Sequence, residues 1–317
     1  MLPETASYPQ IVERAFPRRD FPLDHGPMLP SELLILPLFS TRQAHDCGVT
    51  EVDLRDALAR QAIVRLKRGW YTAQRLEWPD DRHRLLVQIE TSERDDVVPS
   101  HYSAAVALGL PVHRPDWRTV HVMRTTPGSG QHRSGLSIHK QVGEHSTLGA
   151  ALAIAQTGLL SVESGLMAYD SALRTGAVSA DELAVVAAEL RGRVGYRRLP
   201  VMLRLGDGRR ESPLESRTAL TFDRWGYRLI AQFEVPGTCY RADARLEGTQ
   251  LLVEADGSGK YDDPSALIEE KAREDDLRAG GWRILRVTDD MLNRPKVLHA
   301  RVQTILRDLS RPSASAA

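Results

Sequence analysis

The chain has 317 residues, is 42% hydrophobic and 26% charged, and balances 42 basic against 42 acidic side chains for a formal net charge of zero. That length holds two or three compact units, and the composition describes a soluble globular chain rather than a disordered or fibrous one. No apolar run approaches the roughly 20 residues that a bilayer-spanning helix needs, and MLPETASYPQIVERAFPRRD carries no signal-peptide core, so a cytoplasmic protein without a membrane partner is expected.

Cys47 and Cys239 have no partner at metal-ligand spacing, which argues against a disulfide framework or a thiolate zinc site and makes both packing residues. The charge is unevenly spread. From Leu190 to Arg245 there are twelve arginines against six acids, and from Leu246 to Pro295 twelve acids against seven bases. A basic surface running into an acidic cluster suits a polyanion docked beside a cation site.

Residues 1–30, rich in proline and charge, read as an irregular arm. Between 31 and 84, Ser40 with Gln43 forms a capping-box helix start, Gly48 a helix stop, and Thr50 the cap of a second helix turning Val52, Leu58 and Ala59 inward. IVRLKRGWYT then alternates as a hairpin with LKRG at its turn. Helix, turn, helix and wing is the order of a winged helix-turn-helix domain.

The region 85–205 reads as a mixed α/β connecting domain. TVHVMRTT and LSIHKQV look like strands around PGSGQHRSG, and three helical patterns follow (TLGAALAIAQTG, SVESGLMAYDSALRTG and SADELAVVAAELRG), each closed by glycine. No catalytic arrangement is visible there. His121, His139 and His145 do not recur at helical ligand spacing, so exposed or core-satisfied imidazoles are expected rather than ligands.

The region 206–310 opens on RRESPLESRTALTFDRWGY, where Ser212 and Glu215 suggest a second capping box with Pro213 at the first helical position. YRLIAQFEV, CYRADARLE and QLLVEAD read as strands, PSALIEEKAREDDLRAGG as a helix, WRILRVTDD as a strand and PKVLHARVQTILRDL as a helix, before a short tail at 311–317. An α/β sheet flanked by helices follows, within an α+β chain overall. In LLVEADGSGKYDD, Glu254 and Asp256 stand two apart and should share one side of a strand end. Asp243 on a neighbouring strand and Glu215 on the preceding helix could join them. Three or four carboxylates together suit a hard divalent cation, Mg2+ or Mn2+, with Lys260 or Lys271 orienting water or meeting developing charge. The competing structural reading pairs these acids with Arg241, Arg245 and Lys260 in a surface network.

Two resemblances sharpen these expectations. The segment ending in RLKRGWY resembles the amino-terminal winged helix of AbiEi-family antitoxins, and SHYSAAVALGLP, residues 100–111, resembles the helix that opens their next domain. This implies DNA binding, commonly at an operator, by the second helix and the wing: Arg55, Arg60, Arg65, Lys67 and Arg68. Glu51, Asp53 and Asp56 on that helix oppose phosphates, so backbone contact through the wing is expected more than base readout, and a winged helix used for protein contact or dimerisation is the other reading.

SPLESR, Gln232, RADARLE, VEADGSGKY and EKAREDDLRAGGWRILRVT in series resemble the Vsr-type domain, related to very-short-patch-repair endonucleases of the PD-(D/E)xK superfamily. By analogy Asp243 is the PD-motif aspartate, Glu254 the acid of the (D/E)xK element and Glu215 the helix glutamate. No proline precedes Asp243, Asp256 occupies the usual lysine position, and Lys260 stands where many relatives have histidine after the turn. The resemblance implies metal-dependent cutting of DNA, in repair or in defence against foreign DNA. The alternative is an antitoxin-like transcriptional regulator with a degenerate nuclease fold and a cognate toxin. Cutting both strands often takes two active sites, which leaves a homodimer open.

Overall fold

The computed structural model describes residues 29–257 and 273–310. Lys260, Lys271, most of the amino-terminal arm and the 311–317 tail lie outside the described residues. The fold is mixed α and β with three sheets among the described residues, divided into two compact units: residues up to 110 with 114–156, and 111–113 with 157 onward. No helix is long and apolar enough to cross a membrane among the described residues.

The first unit begins with α1 (Ser31–Leu34), β1 (Phe39–Ser40), α2 (Thr41–Asp46), α3 (Glu51–Ala59) and the antiparallel strands β2 (Val64–Lys67) and β3 (Trp70–Thr72). The local signals behave as their chemistry demands. Ser40 Oγ accepts from Gln43 N–H at 3.2 Å while Gln43 Oε1 accepts from Ser40 N–H at 2.8 Å. Gly48 and Gly69 take the left-handed φ values of +78° and +79° that end α2 and close the hairpin.

One expectation fails in α3. Leu54 and Ala57 turn inward with Leu58 packed beside them, whereas Val52 is 57% exposed and Ala59 lies at the surface. Thr50 as N-cap fixes the helical phase, and at 3.6 residues per turn Leu54 and Leu58 share a face that Val52 does not.

Next come α4 (Pro79–Ser92), β4 (Val97–Pro99), α5 (His101–Ala107), β5 (Val120–Arg124), β6 (Gln131–Arg133) and β7 (Leu136–His139). The sheet runs β4-β5-β7-β6, with β5 and β7 parallel and the outer pairs antiparallel. Alternation sends Val120, Val122, Leu136 and Ile138 to one face, where Val87 of α4 completes an apolar cluster. The intervening positions, His121, Met123, Ser137 and His139, therefore share the other face.

Then follow α6 (Ala150–Leu160), α7 (Val162–Thr175), α8 (Ala180–Glu189), α9 (Leu199–Leu205) and α10 (Pro213–Asp223). Gly158 does not end α6 as its pattern suggests; the helix continues through it. A Cβ on Gly158 would lie 2.8 Å from a Leu199 methyl, and one on Gly165 only 2.6 Å from the Gly158 Cα. The glycine serves close approach of α6, α7 and α9 rather than a turn. By contrast Gly176, at φ +69°, caps α7 as expected.

The second unit's sheet comprises β8 (Leu229–Glu234), β9 (Arg241–Leu246), β10 (Leu251–Ala255) and β11 (Arg283–Val287), ordered β11-β10-β9-β8. β8, β9 and β10 are antiparallel neighbours, and β10 runs parallel to β11 after the helical residues 273–279. α12 (Asp289–Leu292) and α13 (Pro295–Leu309) follow. One sheet face packs Leu251, Val253, Leu285 and Val287 against Phe222 of α10 and Leu298 and Val302 of α13. The other packs Leu252 and Ala242 against Val235 and Leu277.

Candidate functional site

Glu215 and Asp243 of the second unit line one cavity and Asp243 acts electrostatically on Glu254, but the oxygens of the three do not all lie within 4.8 Å of one another. Asp243 itself sits at an irregularity in the β8–β9 pair. Ala242 belongs to the Leu252 face and Ala244 to the Val253 face, although residues two apart in a regular strand share a side. The change of face falls at Asp243. Gln232 opposes it in the register set by Ala231↔Ala244 and Phe233↔Ala242, and has φ +51°, a left-handed value uncommon outside glycine. Gln232 Nε2 donates to Glu215 Oε2 at 2.9 Å, so the strained residue orients an acid on α10.

Glu215 occupies the first turn of α10, where its N–H donates to Ser212 Oγ at 3.1 Å. The expected capping box is half formed, because Glu215 Oε2 accepts from Glu211 N–H at 3.1 Å instead of from the cap residue. Asp243 Oδ2 accepts from Ala255 N–H at 2.8 Å. Glu254 Oε1 accepts from Arg273 at 2.7 Å.

Burial pushes all three acids above the ordinary carboxylate range, and the charge of Asp243 adds to the rise at both Glu215 and Glu254. Glu254 rises to about 7, against the opposing pull of Arg273 and of a backbone hydrogen bond from Asp243. Asp243 is thus the electrostatic centre of the set. A small cavity beside it is lined by Arg210, Glu215, Thr218, Ala231, Asp243 and Val253. Arg210 is itself buried, donating to Asp170 Oδ2 at 2.7 Å and to the Leu205 carbonyl at 2.8 Å.

The surface-network pairing expected from Arg241 and Arg245 is replaced by a different cation. Arg241 pairs with Glu211 at 3.0 Å, and Arg245 lies over the rings of Phe233 and Trp282 while donating to the Thr249 carbonyl. The partner of Glu254 is Arg273, which lies in the acidic and basic run EKARED, where nothing local distinguishes it. Asp256 falls just past β10, its N–H donating to the Val287 carbonyl at 2.9 Å. Lys260 lies outside the described residues.

No protein-family profile matches the chain. It is 27% identical over 263 residues to an uncharacterized protein of Mycobacterium tuberculosis, found in strains CDC 1551 and H37Rv. The similarity takes in 77% of this chain and 95% of the mycobacterial protein, so it runs through both units.

In the first unit, Arg55, Arg60, Arg65 and Arg68 are exposed. Lys67 differs. Its ammonium donates to Glu90 of α4 at 2.6 Å and to Glu93, the C-cap of that helix, at 3.0 Å, and Trp70 Nε1 donates to Glu93 at 2.8 Å. Asp53 is likewise engaged: its Oδ2 accepts from the N–H and hydroxyl of Thr50, which lowers its pKa. Of the three carboxylates expected to repel phosphates, Asp53 is held in the cap.

Proposed function

We propose that the chain is a metal-dependent DNA endonuclease, its second unit cutting and its first gripping the duplex. The observation that carries this reading is the order α10, β8, β9, β10, helical residues 273–279, β11, with Glu215, Asp243 and Glu254 on three of those elements and Asp243 acting on both others. That is the element order and acid placement of the PD-(D/E)xK nucleases, and it agrees with the Vsr-like series of motifs. The donor types suit a hard cation, which would draw the three carboxylates closer than they stand without it: Mg2+ or Mn2+ takes oxygen ligands, and ligating carboxylates are usually anchored by hydrogen bonds such as those from Ala255 and Gln232.

Glu215, Asp243 and Glu254 would hold the ion, which when bound polarises a phosphodiester and supplies hydroxide. The protein's own contribution is orientation. Ala255 N–H fixes the Asp243 carboxylate, Gln232 fixes Glu215, and Arg273 balances charge at Glu254 where the family's lysine has given way to Asp256. In the first unit, α2, α3 and the β2–β3 hairpin follow the winged helix-turn-helix order, with Arg55, Arg60, Arg65 and Arg68 meeting phosphates.

The test is incubation of the purified chain with supercoiled plasmid and short duplexes in Mg2+, Mn2+ or chelator, beside Asp243→Ala and Glu254→Ala. Cleavage that needs metal and vanishes in both variants is expected. A second reading is favoured by Arg273, whose guanidinium already neutralises Glu254: an antitoxin-like regulator using a degenerate nuclease fold as a platform, with a cognate toxin as partner. Salt-sensitive DNA binding without cleavage in either metal would replace the first reading with the second.

A further inference from the structure

We propose that His101, His121 and His139, in the first unit, bind one zinc-class divalent ion and leave a fourth coordination position to water or another small ligand. Their ligand nitrogens all lie within 4.8 Å of one another, the one such compact group of metal-ligating side chains among the described residues. His121 Nδ1 and His139 Nε2 are 3.0 Å apart. Zinc–nitrogen bonds of about 2.0–2.1 Å at a tetrahedral angle put two ligand atoms about 3.3–3.4 Å apart, so the observed spacing is close to that of a coordination edge.

The convergence is built by the sheet. Parallel pairing matches His121 with Ser137 and Met123 with His139, which sets the two histidines diagonally on the face opposite the Val120, Val122 and Ile138 core. His101 enters from the start of α5, its ring stacked 3.9 Å from that of His139. It takes φ +50°, a strained value for a residue with a Cβ, and strain of this kind concentrates at ligand clamps. Its N–H donates to Gln156 Oε1 at 3.3 Å, and Ser100 Oγ lies 3.1 Å from its Nδ1.

A supporting shell backs the second ligand. Ser103 Oγ accepts from His121 N–H at 2.8 Å and lies 2.9 Å from His83 Nε2, whose other nitrogen meets the Trp117 carbonyl at 3.1 Å. The bond to His121 comes from its backbone and holds the strand position, whereas the contact of Ser100 with the His101 ring nitrogen is the kind that fixes an imidazole at a metal site. His101 is buried, while His121 and His139 are half-buried, so the group opens to solvent on one side, as a three-ligand site with an open position requires. All-imidazole donors suit zinc, cobalt, nickel or copper and not Mg2+, which separates this site from the carboxylates of the second unit.

The experiment is titration of the untagged full-length chain with Co2+, followed by its visible absorption, and with Zn2+ by calorimetry, both in excess Mg2+. Wild type, His121→Ala, His139→Ala, Ser100→Ala and Glu254→Ala are compared, with circular dichroism reporting folding. One equivalent should bind with tetrahedral cobalt bands, and Glu254→Ala should match wild type. Loss of an outer-shell partner lowers metal affinity about 10–100-fold, so Ser100→Ala should fall in that range and each histidine variant beyond it. Should a histidine variant unfold, the folded Ser100→Ala protein still decides. Equal affinity in wild type and the folded histidine and Ser100 variants, or no binding to folded wild type, overturns the proposal.

Discussion

Gln232 stands opposite Asp243 across the β8–β9 pair, and its side chain reaches Glu215 at 2.9 Å. One left-handed residue therefore links the change of strand face at Asp243 to the orientation of a helix carboxylate. Gln232→Ala should lower metal-dependent cleavage about 10–100-fold, the usual cost of losing an outer-shell partner. Gln232→Gly should lose as much activity yet melt at a higher temperature than the alanine variant, because glycine escapes a left-handed penalty of about 1–2 kcal/mol. Cleavage rates and melting curves for the pair separate orientation from backbone strain, and wild-type activity in either variant would remove Gln232 from the site.

Glu254 gives the fold a definite pH signature. Its folded pKa of about 7 lies above the ordinary 4.5, so the folded chain holds this proton more tightly than the unfolded chain. Stability from this group is full below the lower value and is lost as pH rises through the higher one. Glu254→Gln should match wild type near about pH 4 and become more stable by on the order of 2–3 kcal/mol near about pH 8, less whatever Arg273 loses with its partner. Melting temperature measured across this range checks the sign. Parallel curves would show that burial does not raise this acid.

Gly165→Ala should destabilise the second unit by about 1–3 kcal/mol, the usual cost of overpacking. The added methyl would sit 2.6 Å from the Gly158 Cα and 2.7 Å from Met202 Sδ; the sulfur can yield but the helix backbone cannot. Urea denaturation of the variant, with an unchanged m-value, is the measurement.

Lys67 and its neighbours should part company in DNA binding. Arg65→Ala and Arg68→Ala, at exposed wing positions, are expected to weaken binding and to lower the salt slope by about one for each phosphate that is no longer neutralised. Lys67→Ala should chiefly reduce stability, since its ammonium bridges Glu90 of α4 and Glu93 at the end of that helix. Affinity at several salt concentrations, read beside melting temperature, distinguishes the two effects.

The elements were legible in the sequence because their signals are local. A serine or threonine three residues before its partner caps a helix, as at Ser40 and Thr50, and a glycine with positive φ ends one, as at Gly48 and Gly176. Alternation marked the β2–β3 hairpin, strand-like apolar runs marked β5, β7 and β10, and the acids at 215, 243 and 254 stood out by type and order. The tertiary structure alone decided which groups meet. The face change at Asp243, the pairing of Arg273 with Glu254, the bridging of Lys67 to α4 and the passage of α6 through Gly158 all depend on partners distant in the chain. His101, His121 and His139 are the sharpest case: spacing along the chain keeps them apart, and the parallel register of β5 with β7 brings them together. Periodicity reports how a residue faces its own element, whereas strand register and helix packing are fixed by contacts that no local window contains.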